Sequence, residues 1–158
     1  MNRLLHSARV LLLLAAVAPA TAAQQQAAPY TEGSVWDLSF IRVNEGMEDD
    51  YLNNLRANWK RIGDEAKRQG LVLSYKVIST PAANRDDWGL LLMVEFKNMA
   101  ALDGLRQKYE PIMAKLIGPQ TERRARAAQR NEIREIIGGK LGRELILRDS
   151  TVQQATRP

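Results

Sequence analysis

Trp88-Gly89-Leu90-Leu91-Leu92-Met93-Val94-Glu95-Phe96-Lys97 is apolar at nearly every position. A strand that alternates has one dry face. One that does not alternate is dry on both, so it belongs in the middle of a sheet covered on each side. A short polar loop, Ala82 to Asp87, separates it from a second strand, Leu71 to Thr80 (LVLSYKVIST), which Pro81 stops. Further upstream lies Ser34 to Val43 (SVWDLSFIRV). There Trp36, Leu38 and Phe40 alternate with Asp37, Ser39 and Ile41, so one face is greasy and the other mixed. Asn44-Glu45-Gly46 then turns into a helix over Met47 to Gln69. Its residues Leu52, Leu55, Trp59, Ile62 and Ala66 form one apolar stripe at helical spacing. Glu48, Asp49 and Asp50 in the first turn and Lys67 and Arg68 in the last complement the helix dipole, and Gly70 is placed to be a left-handed C-cap.

Downstream of the apolar strand, Asn98 is placed to cap a second helix carrying Leu102, Leu105, Tyr109, Ile112 and Leu116, closed by Gly118-Pro119. Pro111 inside that pattern predicts a kink or a split. Gln120 to Ile137 reads as a third, Arg-rich helix with Ala125, Ala128, Ile133 and Ile137 inward; Gly138-Gly139 breaks it, and Glu144 to Arg148 is a short last strand. The class is α+β. The order β-α-β-β-α-(α)-β is the ferredoxin-like split βαβ pattern, an antiparallel sheet with its first and third strands central.

Two helices cover only one face of such a sheet, and the chain has no spare element for the other. A second copy of the chain is the economical cover, and two sheets packed face to face close a barrel. Parity leaves Leu91 and Met93 on the uncovered side, with Ile41, Val72 and Ile78 beside them. Burying five such side chains yields on the order of 10 kcal/mol before association costs. Asp37, Ser39, Ser74, Lys76 and Glu95 fall on the same side, so the expected homodimer interface is mixed rather than oily.

The phrase Phe40-Ile41-Arg42-Val43-Asn44-Glu45-Gly46-Met47-Glu48-Asp49-Asp50-Tyr51 resembles the strand, turn and acidic helix start of the dimeric α+β barrel superfamily. With the element order, the resemblance spans Val35 to Arg148. That superfamily includes small antibiotic-biosynthesis-type monooxygenases, stress-responsive barrel proteins, muconolactone isomerases and haem-binding chlorite dismutases. The resemblance therefore implies a fold and leaves the activity open. The haem-binding branches use a His ligand, which this domain does not have.

Residues 1–23 read as a secretory signal peptide: Arg3 and Arg9, the apolar run Val10 to Val17, and the small-residue site Ala20-Thr21-Ala22-Ala23. The expected location is periplasmic or secreted, without a membrane span. Residues 24–33 read as a polar linker, 34–149 as the domain and 150–158 as a frayed tail. The composition, 45% hydrophobic and 26% charged over 158 residues, fits a globular domain and excludes disorder. Removing residues 1–23 takes away the one His, leaves a chain with no Cys, and lowers the formal charge from +5 to +3. That excludes Ser-His-Asp and Cys-His relays and any His- or Cys-ligated zinc, iron or haem. No acidic run has calcium-loop spacing either, so neither metal nor cofactor is expected.

Three groups of residues remain to carry function. Asp37, Lys76 and Glu95 fall on one sheet face by parity; as catalytic candidates they shift one another's pKa values, and as a polar network they only satisfy the interface. Trp36, Tyr51, Asn58, Trp59, Tyr75, Trp88 and Met93 suit a pocket for a planar ligand, although Trp59 on its core stripe and Trp36 on the greasy face also read as plain packing. Arg123, Arg126 (or Ala127), Arg130 and Arg134 line one helix face. Without interleaved aromatics this is not a nucleic-acid surface; a solvated or ion-paired face is expected, with anionic lipid or polysaccharide as the functional version. The readings are a dimeric binder of a small hydrophobic or aromatic compound, a cofactor-independent monooxygenase or isomerase, and a cationic surface module.

Overall fold

The chain folds as α+β, with a four-stranded antiparallel sheet and three helices, in a computed structural model that describes residues 28–149. Residues 1–27, which include the expected signal peptide and the first part of the expected linker, and residues 150–158 lie outside the described residues. The strands are β1 (Tyr30–Val43), β2 (Ser74–Ser79), β3 (Leu90–Phe96) and β4 (Arg134–Leu147). Their order is β2-β3-β1-β4, with β1 and β3 in the middle, an arrangement compatible with a ferredoxin-like fold. Among the described residues no helix is long and apolar enough to cross a membrane.

The first helix is one continuous rod, α1 (Glu48–Asn54) and α2 (Lys60–Arg68), joined by a π-helical turn at Leu55–Trp59. The wider turn is visible in the bond from the Lys60 N–H to the Leu55 carbonyl, five residues back. It also shifts the phase of the stripe. Upstream of it Tyr51, 1% exposed, faces inward, and Leu52, expected there, is 43% exposed. A stripe counted at 3.6 residues per turn throughout goes out of phase at that point.

Two further expectations are corrected. The second helix divides at Gly104 (φ 64°), not at Pro111: Asn98 caps a 3-10 turn, Met99–Leu102, and α3 (Leu105–Ile117) runs through the proline. The third helix, α4 (Gln120–Ile133), is shorter than expected, and β4 is a full 14-residue strand that starts directly after it. Gly138 and Gly139 break nothing. Gly138 lies opposite Phe40 and Gly142 opposite Trp36, both within the ladder. The β1–β4 register also shifts between Phe40 and Ile41. At the other end, β1 begins at Tyr30 rather than Ser34.

Directly opposed residues point to the same side of a sheet. Val35 (0% exposed) and Ile41 (1%) face the helices and anchor two core clusters. The first gathers Val35, Ala66, Val72, Phe96 and Ile112, and the second Ile41, Tyr51, Leu55, Leu90 and Leu92. Ile41 and Val72 are therefore core residues and not part of the open face. The open face carries Trp36, Leu38 and Phe40 from β1, paired with Glu95, Met93 and Leu91 from β3. Ser74, Lys76 and Ile78 of β2 continue it outward. The greasy side of β1 is thus the side without helices.

Candidate functional site

Between Val35 and Ile41, the helix-facing row of β1 holds the smaller polar residues Asp37 and Ser39. A small side chain on the floor leaves room beneath the rod, and a cavity of about 250 Å³ is found there. Ser39, Ile41 and Leu92 contribute from the sheet. The rod supplies Tyr51, Asn54, Leu55, Asn58, Trp59 and Ile62. Asn58 and Trp59 lie within the π turn and both line the wall, on the same stripe as Tyr51, Asn54, Leu55 and Ile62. Such turns are frequent at functional sites.

Trp59 is held from behind. The ring of Tyr75 meets it edge-on at 5.0 Å, and the Tyr75 hydroxyl donates to Asp64. Lys60 donates to the same carboxylate at 2.6 Å. Asn58 donates to the Asn54 backbone carbonyl at 3.1 Å, which fixes its amide against the rod.

The remaining wall comes from the junction of α4 and β4: Arg130, Arg134 and Ile136. With no loop between the elements, Asn44 clamps the junction. Its N–H donates to the Ile133 carbonyl at 3.0 Å and its side-chain amide to the Glu132 carbonyl at 2.8 Å. The Arg134 guanidinium lies 5.9 Å from the centre of the Tyr51 ring, and its Nε is buried without a hydrogen-bond partner among the described residues. Burial raises the Tyr51 phenol above its ordinary value, against the pull of both guanidiniums. Burial, then the charge of Arg134, lowers Arg130 below the usual arginine range, and Tyr51 opposes that shift. A second recess, of about 500 Å³, borders the same Arg134 and Ile136.

Of the pocket residues expected from sequence, Tyr51, Asn58 and Trp59 line the cavity, and Tyr75 buttresses it. The others lie elsewhere. Trp36 and Met93 are on the open face, and Trp88 packs edge-on against Phe40 at 5.4 Å. The catalytic grouping does not assemble. Asp37 faces the helices opposite Val94, with its carboxyl raised by burial. Lys76 and Glu95 sit on the other side of the sheet, Lys76 5.2 Å over the Trp36 ring and Glu95 accepting from the Ser74 hydroxyl. The reason is that the mixed side of β1 faces inward, opposite to the mixed side of β2 and β3.

The arginine stripe divides into an ion-paired half, as expected, and a half that faces the cavity. Arg123 reaches Glu110 at 2.5 Å and the Gly118 carbonyl at 3.2 Å, and Arg126 lies 3.9 Å from Glu122. Arg130 and Arg134 turn into the cavity. Ala125 and Ala128, expected inward, are exposed, and Arg123, Ala127 and Arg130 take their places. The signal was the arginine spacing itself, at positions 123, 130 and 134, but spacing alone does not tell an inward face from an outward one. The chain matches no protein-family model and no curated protein.

Proposed function

We propose that this is an exported small-molecule-binding protein, a homodimer of the dimeric α+β barrel kind, which takes a small hydrophobic or aromatic compound in the cavity between rod and sheet. The observation that carries this reading is a cavity between rod and sheet in which Trp59 stands beside the apolar side chains of Ile41, Leu55, Ile62 and Leu92, with Asn58 and the two arginines as polar groups on its wall. At about 250 Å³ the cavity is near the small end of ligand sites (~300–1,000 Å³), a size suited to one or two rings. No carboxylate lines it, which favours binding over proton abstraction by a carboxylate base. The inward turn of Arg130 and Arg134 counts against the cationic surface module.

The dimer is supported by the open face. Trp36, Leu38, Phe40, Leu91, Met93 and Ile78 form a contiguous apolar patch on the side without helices, with Ile78 exposed and the other five half-covered. Lys76, Lys140 and Glu95 on the same face give two copies opposite charges to pair.

The three tryptophans provide an internal comparison, because only Trp59 borders the cavity. Titration of the purified protein with 1-naphthol, followed by NMR, is expected to shift the Trp59 indole resonance saturably and leave those of Trp36 and Trp88 in place. Equal movement of all three, or none, would overturn the reading.

A further inference from the structure

Four arginines are half-buried among the described residues: Arg42, Arg123, Arg130 and Arg134. Removing a guanidinium from water is costly unless an opposite charge and hydrogen-bond acceptors replace the solvent. Arg42 meets that requirement with Glu135 at 2.5 Å, and Arg123 with Glu110 at 2.5 Å. Arg130 and Arg134 do not. Neither has a carboxylate within 4.0 Å among the described residues, and the two cations face the same cavity. Burial first, and the charge of Arg134 second, lower the proton affinity of Arg130. The face of the Tyr51 ring offers only a quadrupole in return. The Nε of the same Arg134 is buried without a partner among the described residues, so this guanidinium is under-compensated by the protein itself.

We infer that the cavity binds an aromatic carboxylate, its acid group held by Arg130 and Arg134 and its ring lying between Trp59 and Leu55 of the rod and the floor of Ile41 and Leu92. The inference rests on the reading of the cavity as a ligand site, and it adds the charge and class of the ligand. The bound anion takes the place that Glu135 and Glu110 fill for the other two arginines. The aliphatic floor and Trp59 select against a bare inorganic anion, which would leave that surface wet.

The test compares two probes with the same rings, 1-naphthoate and 1-naphthamide, by calorimetry and by the Trp59 indole resonance. Charge-assisted bonds to two guanidiniums predict a carboxylate affinity about ten- to a hundred-fold above that of the amide. Arg130→Gln and Arg134→Gln should each remove most of that gap, with circular dichroism showing that the variants are folded. Sulfate at the concentration that saturates with naphthoate should not displace the probe. Equal affinity for the two probes, an advantage that survives both substitutions, or displacement by sulfate would overturn the inference and leave the ligand site standing. If neither probe moves Trp59, the ligand-site reading fails, and this one with it.

Discussion

Gly63 sits where the rod passes over Tyr75, and a Cβ added there would lie 2.8 Å from two ring carbons. Alanine would gain about 1 kcal/mol of helix propensity at this interior position. Against that, the edge contact with Trp59 and the hydrogen bond to Asp64 hold the ring in place. Overpacking costs about 1–3 kcal/mol, so Gly63→Ala should come out destabilising by urea titration and should weaken probe binding through Trp59. Two residues on, Glu65 accepts from Arg68 at 2.7 Å and from Gln69 at 2.8 Å, and these bonds hold its carboxyl down to about 2 from an ordinary 4.5. A carboxylate depressed by folding stabilises fully above its unfolded value and loses that contribution as pH falls through its folded value. The stability difference between wild type and Glu65→Gln should therefore be largest above about pH 5, shrink below 4.5 and vanish near 2. Urea titrations across that range check it; a difference independent of pH would show that Glu65 acts only through packing.

At the scale of the element, the π turn decides both the core and the cavity. Deleting the exposed Ala57 removes the extra residue and should restore a regular α-helix, which turns α1 by about 100° relative to α2. Tyr51 would then leave the core and Asn58 the cavity wall. The expected result is a folded protein of lower stability that no longer binds naphthoate, read by circular dichroism and calorimetry. In α3, Pro111 occupies an exposed interior position and deprives the Gln107 carbonyl of its helical donor. Pro111→Ala restores that bond, and a gain of about 1–3 kcal/mol in urea titration is expected. Neither feature was legible as placed. A fixed 3.6-residue period assigns Leu52 to the core in place of Tyr51, and proline chemistry alone marks Pro111, not Gly104, as the break.

For the whole molecule the open sheet face governs. Half-covered already, its six large apolar side chains would add on the order of 5–10 kcal/mol on burial, against association costs of similar size, so two copies should pair with moderate affinity. Met93→Lys places a charge at the centre of the patch and should convert the protein to a monomer in sedimentation, while Arg124→Glu on the exposed side of α4 should not. A wild-type monomer that does not change with concentration would rule out the pairing.

The doubly apolar run Leu90 to Val94 was enough to make β3 central, and the caps at Asn98 and Gly70 were legible because capping is local chemistry. The α+β class and the candidates Tyr51, Asn58 and Trp59 came from side-chain type and spacing in the same way. Which face of β1 meets the helices was not legible. Trp36, Leu38 and Phe40 outweigh Val35 and Ile41 in hydrophobicity, yet the inward row must leave space as well as fill it, and Ser39 does so. The cavity itself depends on packing across elements distant in sequence. The arginines at 130 and 134 could be counted from the chain, but only the loopless junction of α4 and β4, pinned by Asn44, turns them inward to face Tyr51. Spacing orders residues along an element; the direction in which that element faces is set by what it packs against.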